Sequence, residues 1–333
     1  MDIDFVITWV DNEDPQWQAA FRQWLPANTG DLDTGEERYR DWHLLRYWFR
    51  GVERFAPWVN KVHFVTNGQL PSWLNIHHPK LHIVRHSDIM PADSLPTFNS
   101  NAIEMCIDRI EGLSENFVYF NDDVFLVGDV NQNYFFRNGL PCDVAVTRWH
   151  NKQEGIMNNI VNNNLRLLNA HFRKYTVMLR HARKWFTLAY GYRNVLENLL
   201  ALLQPKFAGF LEPHSALPMQ RHTLAELRNA CEEQMNQTAS TRFRSSNDIS
   251  PWLYRYWRLC RGEFTPFYPD GSFRVFCSVE DELPQLHHKL LDPRVKIVVI
   301  NDAVHYTDFY RLRERTAQLF AEILPEASSF EHS

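Results

Sequence analysis

Adjacent carboxylates mark the most informative segment of the sequence. An apolar run at residues 117–120 ends abruptly in Asn121, Asp122 and Asp123. Ligands of open α/β sheets bind beyond the carboxyl ends of strands. Neighbouring carboxylates are costly to hold together unless a cation offsets their charge, and Mg²⁺ with a nucleotide diphosphate takes carboxylate and phosphate oxygens together. The alternative is a strand-end turn, because Asn and Asp favour turns, and these residues alone leave both interpretations open.

A second candidate site lies at the end of the first apolar run, residues 3–10, which is followed by Asp11. At a strand end, the Trp9 ring could stack on a base while the Asp11 carboxylate holds a ribose hydroxyl. The structural alternative is a core tryptophan beside a helix that Asp11 or Asn12 caps, with Pro15 in its first turn. These residues alone favour the structural alternative.

A third candidate is the polar segment at residues 96–104, which contains Asn99, Asn101 and Glu104. It leads into a predicted helix, and the free N–H groups at a helix start attract anions. Glu104 lies in the first turn and could serve chemistry. It could equally close a capping box with Asn101, three residues earlier, and the residues alone favour the cap slightly.

A fourth candidate combines His214 with Arg242 and Arg244. A histidine can act as a base near neutral pH, and arginine suits the charge on transferring phosphoryl oxygens. The chain contains 15 histidines, and most histidines are structural or merely exposed. Nothing near His214 in the sequence distinguishes it from the others.

Five short apolar runs predict the strands that would position these residues. Their continuous apolar character is typical of strands covered on both faces, as in a parallel sheet. The predicted strands are residues 3–10, 62–66, 81–85, 117–121 and 296–300.

Helical patterns separate the apolar runs. Residues 41–55 carry one apolar stripe, with Arg40, Asp41 and Arg46 at its start, which by default form a solvated face. A similar stripe spans residues 103–110. Alternation of strands and helices predicts a layered α/β fold. The polar segment 27–37 is predicted as a mobile loop, residues 151–261 as mainly helical, and residues 308–324 as the last helix.

Composition excludes several classes of protein. The 333 residues are 44% hydrophobic and 23% charged, with a net charge of -5 and a pI of about 6.3, which argues against a generally basic nucleic-acid binder. No apolar run reaches the roughly 18 residues of a membrane helix, and the N-terminus lacks the pattern of a signal peptide. The five cysteines form no CxxC pair, so neither a zinc knuckle nor a disulfide framework is predicted.

The order of these segments resembles the Stealth family of sugar-phosphate transferases over nearly the whole chain. Its first block resembles residues 4–12, and its second resembles residues 40–125, including Phe120-Asn-Asp-Asp-Val-Phe125. Its third resembles Pro213-His214 together with Arg242-Phe-Arg-Ser245, and its fourth resembles residues 300–302 with 324–331. Residues 144–210 match no block.

The resemblance implies transfer of a hexose 1-phosphate, expected to be N-acetylhexosamine 1-phosphate, from a UDP-sugar to a hydroxyl of a capsular or cell-surface polysaccharide. A phosphodiester forms and UMP leaves. Such transfer depends on positioning, metal and cationic charge. The implied catalytic residues are Glu104, Asp122, Asp123, His214 and Arg244. The implied metal is Mg²⁺ or Mn²⁺ on Asp122 and Asp123, with Asn301 and Asp302 as further candidates. The implied substrate contacts are Trp9, Asp11, Arg40, Asp41, Arg46, Asn99, Asn101 and Arg242.

The same resemblance implies one catalytic domain over residues 1–333, with a mostly parallel, Rossmann-like sheet flanked by helices. Residues 1–150 would form the α/β part that binds the nucleotide sugar, and 151–261 a mainly helical insertion with the His/Arg block. Residues 262–333 would return to the sheet and end in a helix. The expected partners are a UDP-sugar and a polysaccharide or oligosaccharide acceptor, with no nucleic acid. The expected location is the cytoplasm, with peripheral association with capsule machinery at the inner face of the membrane.

Two other functions remain open from the sequence. A metal-dependent glycosyltransferase would use the same cation and donor, but its acceptor would attack the sugar carbon and release UDP. A carbohydrate-binding protein with a degenerate site would lack turnover. The carboxylate pair does not separate the first alternative from phosphoryl transfer, whereas the intact candidate residues argue against the second.

Overall fold

The computed structural model describes residues 1–149, 155–269, 272–276, 283–302 and 308–332. The strands are β1 (Ile3–Thr8), β2 (Leu32–Asp33), β3 (Val62–Thr66), β4 (Leu81–Arg85), β5 (Asn116–Phe120), β6 (Val124–Leu126), β7 (Phe136–Arg137), β8 (Leu140–Asp143), β9 (Leu217–Gln220), β10 (Arg244–Ser245), β11 (Thr265–Pro266), β12 (Ser272–Phe276) and β13 (Ile297–Asn301). The α-helices are α1 (Pro15–Trp24), α2 (Leu45–Phe55), α3 (His86–Ile89), α4 (Ser100–Glu104), α5 (Gln132–Phe135), α6 (Ile156–His171), α7 (Lys174–Arg180), α8 (Ala182–Trp185), α9 (Tyr192–Ala201), α10 (Arg221–Ala230), α11 (Glu232–Ala239), α12 (Trp252–Arg261), α13 (Leu283–Leu290) and α14 (Phe309–Ile323).

The central sheet has the strand order β4-β3-β1-β5-β9. Its first four strands are parallel, and they coincide with the first four predicted apolar runs. Alternate residues of β1 enter different cores, since Phe5 packs on one face of the sheet and Val6 on the other. Burial on both faces explains the mostly apolar character of β1, β3 and β5, and the predicted α/β class with a mostly parallel sheet is confirmed.

The fifth strand, β9, comes from the region that was predicted to be mainly helical. It pairs antiparallel with β5, with Tyr119 opposite Leu217. Helices α6 to α12 make up most of the same region. This region therefore contributes an edge strand to the central sheet.

The predicted strand at residues 296–300 exists as β13, but it lies in a different sheet from the one expected. It pairs parallel with β12 and antiparallel with β6, in a three-stranded sheet. The expectation that the chain returns to the main sheet after residue 262 is wrong on this point. Pairing partners depend on packing between distant segments, which the apolar character of one strand does not encode.

The predicted helices are present with some changes. Helix α2 buries Trp48, Phe49 and Val52 along its apolar stripe, and α14 lies within the predicted range 308–324. The stripe at residues 103–110 is not one helix, because α4 ends at Glu104 and a 3₁₀ turn follows at Ile107–Arg109.

The polar segment at residues 27–37 is predicted as a loop, yet it contains β2, which pairs antiparallel with β10. An aromatic cluster under this pairing includes Trp17, Phe98 and Phe243. Asp14 caps α1 by accepting from the Trp17 N–H at 2.7 Å, so neither Asp11 nor Asn12 is the N-cap.

A buried ion cluster attaches α12 to the strands. The Asp143 carboxylate at the end of β8 accepts from Arg255 Nε at 2.9 Å and pairs with Arg258, and both arginine side chains are fully buried. Arg255 also donates to the Val144 carbonyl at 2.7 Å. Removing one partner of such a cluster leaves an uncompensated buried charge.

The thiols of Cys106, Cys142, Cys231 and Cys260 are buried and free, and Cys277 lies outside the described residues. In the described ranges, none of the helices is both long enough and apolar enough to cross a membrane.

Candidate active site

A cavity of about 510 Å³ opens where β1 and β5 end. Because these strands are parallel neighbours, with Ile7 opposite Phe120, the residues that follow each strand meet at one edge of the sheet. Most of the candidate residues line this cavity: Trp9, Arg40, Asp41, Asn99, Asn101, Glu104, Asp122, Asp123, His214, Arg244, Asn301 and Asp302.

The floor of the cavity is acidic. Asp122 and Asp123 follow β5, and a backbone hydrogen bond of 2.8 Å from the Ile300 N–H to the Asp123 carbonyl places the end of β13 beside them. Asp122 lines the cavity. Desolvation and the negative charges of Asp123 and Asp41 together raise the pKa of Asp122 to about 8.

The oxygens at this floor suit a hard divalent cation. Asp123 Oδ1 and Asn301 Oδ1 are buried and have no hydrogen-bond partner among the described residues. Carboxylate and amide oxygens are the ligands that Mg²⁺ accepts, usually together with substrate phosphates. Within the described ranges, no group of three or more His, Cys, Asp or Glu side chains forms a complete metal site. The buried oxygens of Asp123 and Asn301 without hydrogen-bond partners are of the type that fits a divalent cation.

His214 reaches the floor through β9. Because Tyr119 lies opposite Leu217 in an antiparallel pair, the residues before Leu217 run past the end of β5. His214 Nε2 lies 3.4 Å from Asp123 Oδ2, and the two side chains are 26% and 24% exposed. Asp123 thus contacts the histidine through one oxygen, while its other oxygen is buried without a hydrogen-bond partner among the described residues.

Glu104 is buried in the wall of the cavity. Its Oε1 accepts a hydrogen bond of 2.6 Å from the Tyr119 hydroxyl, which also lies 3.0 Å from Thr8 Oγ1. Burial raises the pKa of Glu104, although the Tyr119 hydrogen bond and the Arg244 charge act against this. The capping box with Asn101 does not form, because Asn99 is the N-cap and Glu104 is the last residue of α4.

Arg244 lies in the wall of the cavity. Its Nη2 donates to Ser100 Oγ at 2.7 Å, and its Nη1 lies 3.8 Å from Asp33 Oδ2. The β2–β10 pairing brings Asp33 directly opposite Arg244. The guanidinium is therefore held in place by two neighbours, and its side chain is 16% exposed.

The two asparagines of the third candidate, Asn99 and Asn101, differ in their hydrogen bonds. Asn99 Nδ2 donates to Asp248 Oδ2 at 2.7 Å and to Thr241 Oγ1 at 2.9 Å, and its Oδ1 accepts from the Asn101 N–H. These bonds use the Asn99 amide to position the chain on both sides of β10. Asn101 Nδ2 is buried without a hydrogen-bond partner among the described residues, so Asn101 is the better placed of the two to bind a ligand.

Comparison with known proteins places this site within a family. The conserved regions 1, 2 and 3 of the Stealth proteins match residues 1–29, 38–142 and 213–258 respectively. The chain is also 36% identical over 331 residues to the capsular polysaccharide phosphotransferase WcwK of Streptococcus pneumoniae, covering 99% of this chain and 98% of that protein. The chain belongs to the Stealth family. The sequence-based resemblance and the expectation of a sugar-phosphate transferase are thereby confirmed.

Other Stealth relatives are similar over the same extent. The exopolysaccharide phosphotransferase cps2G of Lactiplantibacillus plantarum is 37% identical over 337 residues, which are 99% of this chain and 96% of that protein. The receptor polysaccharide phosphotransferase WefC of Streptococcus oralis is 35% identical over 339 residues, 99% of each chain. A solved structure, the apo form of the bifunctional glycosyltransferase WbbM, is 12% identical with a TM-score of 0.38, over 98% of this chain and 50% of that chain.

Three predicted substrate contacts of this Stealth protein lie away from the cavity. Arg46 pairs with Glu331 at 3.2 Å. Arg242 donates to the backbone carbonyls of residues 93 and 95. Asp11 accepts from the Glu13 N–H at 2.8 Å. None of the three is among the described residues that line the cavity.

Two of the predicted substrate contacts do line the cavity, and both already contact other side chains of the protein. Trp9 is buried, and its ring centroid lies 5.7 Å from that of Phe64, which agrees with the core interpretation. Arg40 Nη1 lies 3.2 Å from Asp302 Oδ1. This pair connects the segment before α2 with the segment after β13.

Sequence reasoning missed several residues of the Stealth site. Tyr119 was counted as an apolar strand residue, although its hydroxyl contacts Glu104. Its position on β5, three residues before Asp122, was the available signal. Asp33 and Ser100 gave no comparable signal, because their contacts with Arg244 depend on the β2–β10 pairing and on the start of α4.

Proposed function

We propose that this Stealth protein transfers a hexose 1-phosphate, with N-acetylhexosamine 1-phosphate as the expected group, from a UDP-sugar to a hydroxyl of a polysaccharide. The products would be a phosphodiester and UMP. The observation that carries the proposal is the convergence of Asp122, Asp123, His214 and Arg244 on one cavity. The names of the relatives support the coarser part, transfer of a sugar phosphate to a polysaccharide.

The acidic floor is the proposed site of Mg²⁺ or Mn²⁺. Asp122 and Asp123 would hold the cation, with Asn301 and Asp302 as the nearest further oxygens from β13 and the segment after it. A bound cation would neutralise phosphate charge during transfer. The mutual repulsion that raises the pKa of Asp122 supports this assignment, because a cation between the carboxylates relieves it.

The wall of the cavity that contains Arg244 would hold the transferring group. Arg244 is fixed by Ser100 and Asp33, and its guanidinium would contact the phosphoryl oxygens between wall and floor. A pre-positioned cation is effective there because it need not reorganise as charge develops. Glu104, held by Tyr119, would accept a hydrogen bond from a sugar or ribose hydroxyl.

His214 is the proposed base. The acceptor hydroxyl must lose its proton as its oxygen attacks phosphorus, and a histidine in contact with a carboxylate is a suitable acceptor for that proton. If His214 Nε2–H points at Asp123 Oδ2, the unprotonated nitrogen is Nδ1, and the proton moves to that atom. The bond from phosphorus to the UMP oxygen then breaks.

The nucleotide product tests the proposal against the glycosyltransferase alternative. Purified protein is incubated with candidate UDP-sugars, Mg²⁺ and polysaccharide fragments, and the nucleotides are separated by chromatography. The proposal predicts UMP, and phosphorus NMR should show a phosphodiester in the polysaccharide. UDP with a plain glycoside would establish attack at carbon instead. Absence of turnover with every donor would favour a carbohydrate-binding protein. The cytoplasmic location stays a prediction.

A further inference from the structure

Part of the surface formed by residues 144–210 is unusually apolar. Five side chains of α9 and the turn after it are exposed at helical spacing, and Leu203 reaches 82% exposure. Spacings of three and four residues place them on one face of the helix. We call this face the α9 surface, and it consists of Tyr192, Leu196, Leu199, Leu200 and Leu203.

The opposite side of α9 is fixed to the protein. Asn198 is fully buried, and its Nδ2 donates to the carbonyls of Ala145 at 2.7 Å and Trp185 at 2.6 Å. Its Oδ1 accepts from the Thr147 N–H at 2.8 Å. Rolling the helix to bury its leucines would break these hydrogen bonds. The apolar stripe is therefore held outward by the fold.

An exposed tryptophan lies beside the α9 surface. Trp149 is 77% exposed, and it lines a groove of about 450 Å³ together with Leu200 and Lys174. Lys174 Nζ donates to the Ala201 carbonyl at the end of α9. Tryptophan rings favour the boundary between water and lipid, because they combine an apolar body with one polar N–H group.

The segment of the chain that carries the α9 surface is strongly basic in sequence. Residues 173–206 contain seven Lys and Arg residues and one acidic residue, Glu197, in a chain whose net charge is -5. Glu197 is paired with Arg148 at 3.1 Å. The basic residues of this segment that are exposed are Arg173, Arg180, Arg183, Arg193 and Lys206.

We propose that the α9 surface docks this protein on an anionic lipid bilayer. The leucines and Trp149 would enter the boundary between headgroups and acyl chains while the arginines contact the anionic headgroups, as in helices that lie on a membrane. A second copy of the chain fits less well, because pairing two such basic surfaces would bring like charges together. The proposal does not depend on the reaction catalysed.

Vesicle flotation with the full chain tests the proposal. We expect binding to vesicles of phosphatidylcholine with phosphatidylglycerol, weaker binding at high salt, and little binding to phosphatidylcholine alone. A triple variant, Leu196→Ser, Leu199→Ser and Leu203→Ser, should lower the partition coefficient about 100-fold if each leucine is about half buried in lipid. The matched control replaces exposed apolar residues elsewhere, Leu70→Ser, Ile76→Ser and Leu291→Ser, and should bind normally.

A charge variant separates the electrostatic contribution. Arg180→Gln, Arg183→Gln and Arg193→Gln together should weaken binding to anionic vesicles about 100-fold, at roughly fivefold for each charge near the surface. Turnover with a soluble acceptor should stay normal in all three variants, since these residues lie outside the cavity. Equal vesicle binding by every variant, or no binding to anionic vesicles by the unmodified protein, overturns the proposal. A dimer that the leucine variant abolishes, without vesicle binding, would assign the surface to self-association.

Discussion

Replacement of His214 by alanine tests the proposed base most directly. The imidazole lies 3.4 Å from Asp123 and is partly exposed in the cavity, so it contributes little to the core. Loss of a positioned base slows a reaction about 10²–10⁴-fold, which corresponds to about 2.7–5.4 kcal/mol at about 1.36 kcal/mol per tenfold change. Loss of a partly exposed contact between a histidine and a carboxylate costs at most about 1 kcal/mol of stability. Turnover should therefore fall far more than the free energy of unfolding.

The assay measures three quantities on one sample of the His214→Ala variant: turnover, donor affinity and melting temperature. Donor affinity should be nearly normal, because Arg244 and the acidic floor still contact the nucleotide sugar. His222→Ala is the matched control, since His222 also contacts a carboxylate, Glu115, but on an exposed surface away from the cavity. This control should keep normal turnover.

A second variant separates proton transfer from positioning. Glutamine in His214→Gln can still hydrogen-bond to Asp123, but it cannot take up a proton near neutral pH. We therefore expect the same loss of turnover as with alanine. Normal turnover in His214→Ala, recovery in His214→Gln, or a joint collapse of affinity, stability and turnover would refute the assignment of His214 as the base.

The other predictions concern the floor, the wall and the core. Asp123→Asn should lower turnover by orders of magnitude and raise the Mg²⁺ concentration needed for half-maximal rate, whereas full activity of the unmodified protein in excess chelator would contradict the cation site. Arg244→Lys should lower kcat, because a lysine cannot keep both Ser100 and Asp33 contacts while facing a phosphoryl group. Arg242→Lys is its control and should leave kcat nearly unchanged; equal effects would remove Arg244 from the wall. Asp143→Asn should lower the free energy of unfolding by about 3–5 kcal/mol. Denaturant titration measures this change, with Asp129→Asn at an exposed position as the control. A loss below about 1 kcal/mol would show that the buried cluster is not needed for stability.

The parallel part of the central sheet was predictable from local sequence. Strands β1, β3 and β5 are mostly apolar because they are buried on both faces, and this signal is contained within a few residues of each strand. The polar residues at the end of a strand were predictable from the same signal. Asp122 and Asp123 stand where the apolar run of β5 stops, so their position at the carboxyl edge of the sheet required no knowledge of the rest of the chain.

Pairings between distant segments were decided only by the tertiary structure. Asn301 and Asp302 reach the acidic floor because β13 pairs with β6, and His214 reaches it because β9 runs antiparallel to β5. Arg242 and Arg244 are two residues apart, yet Arg242 donates to backbone carbonyls whereas Arg244 lies in the cavity. Apolar periodicity specifies which face of an element is buried, but the choice of partner and register depends on the summed packing of the whole molecule. The sequence therefore determined the residue types of the site, and the fold decided which of them meet.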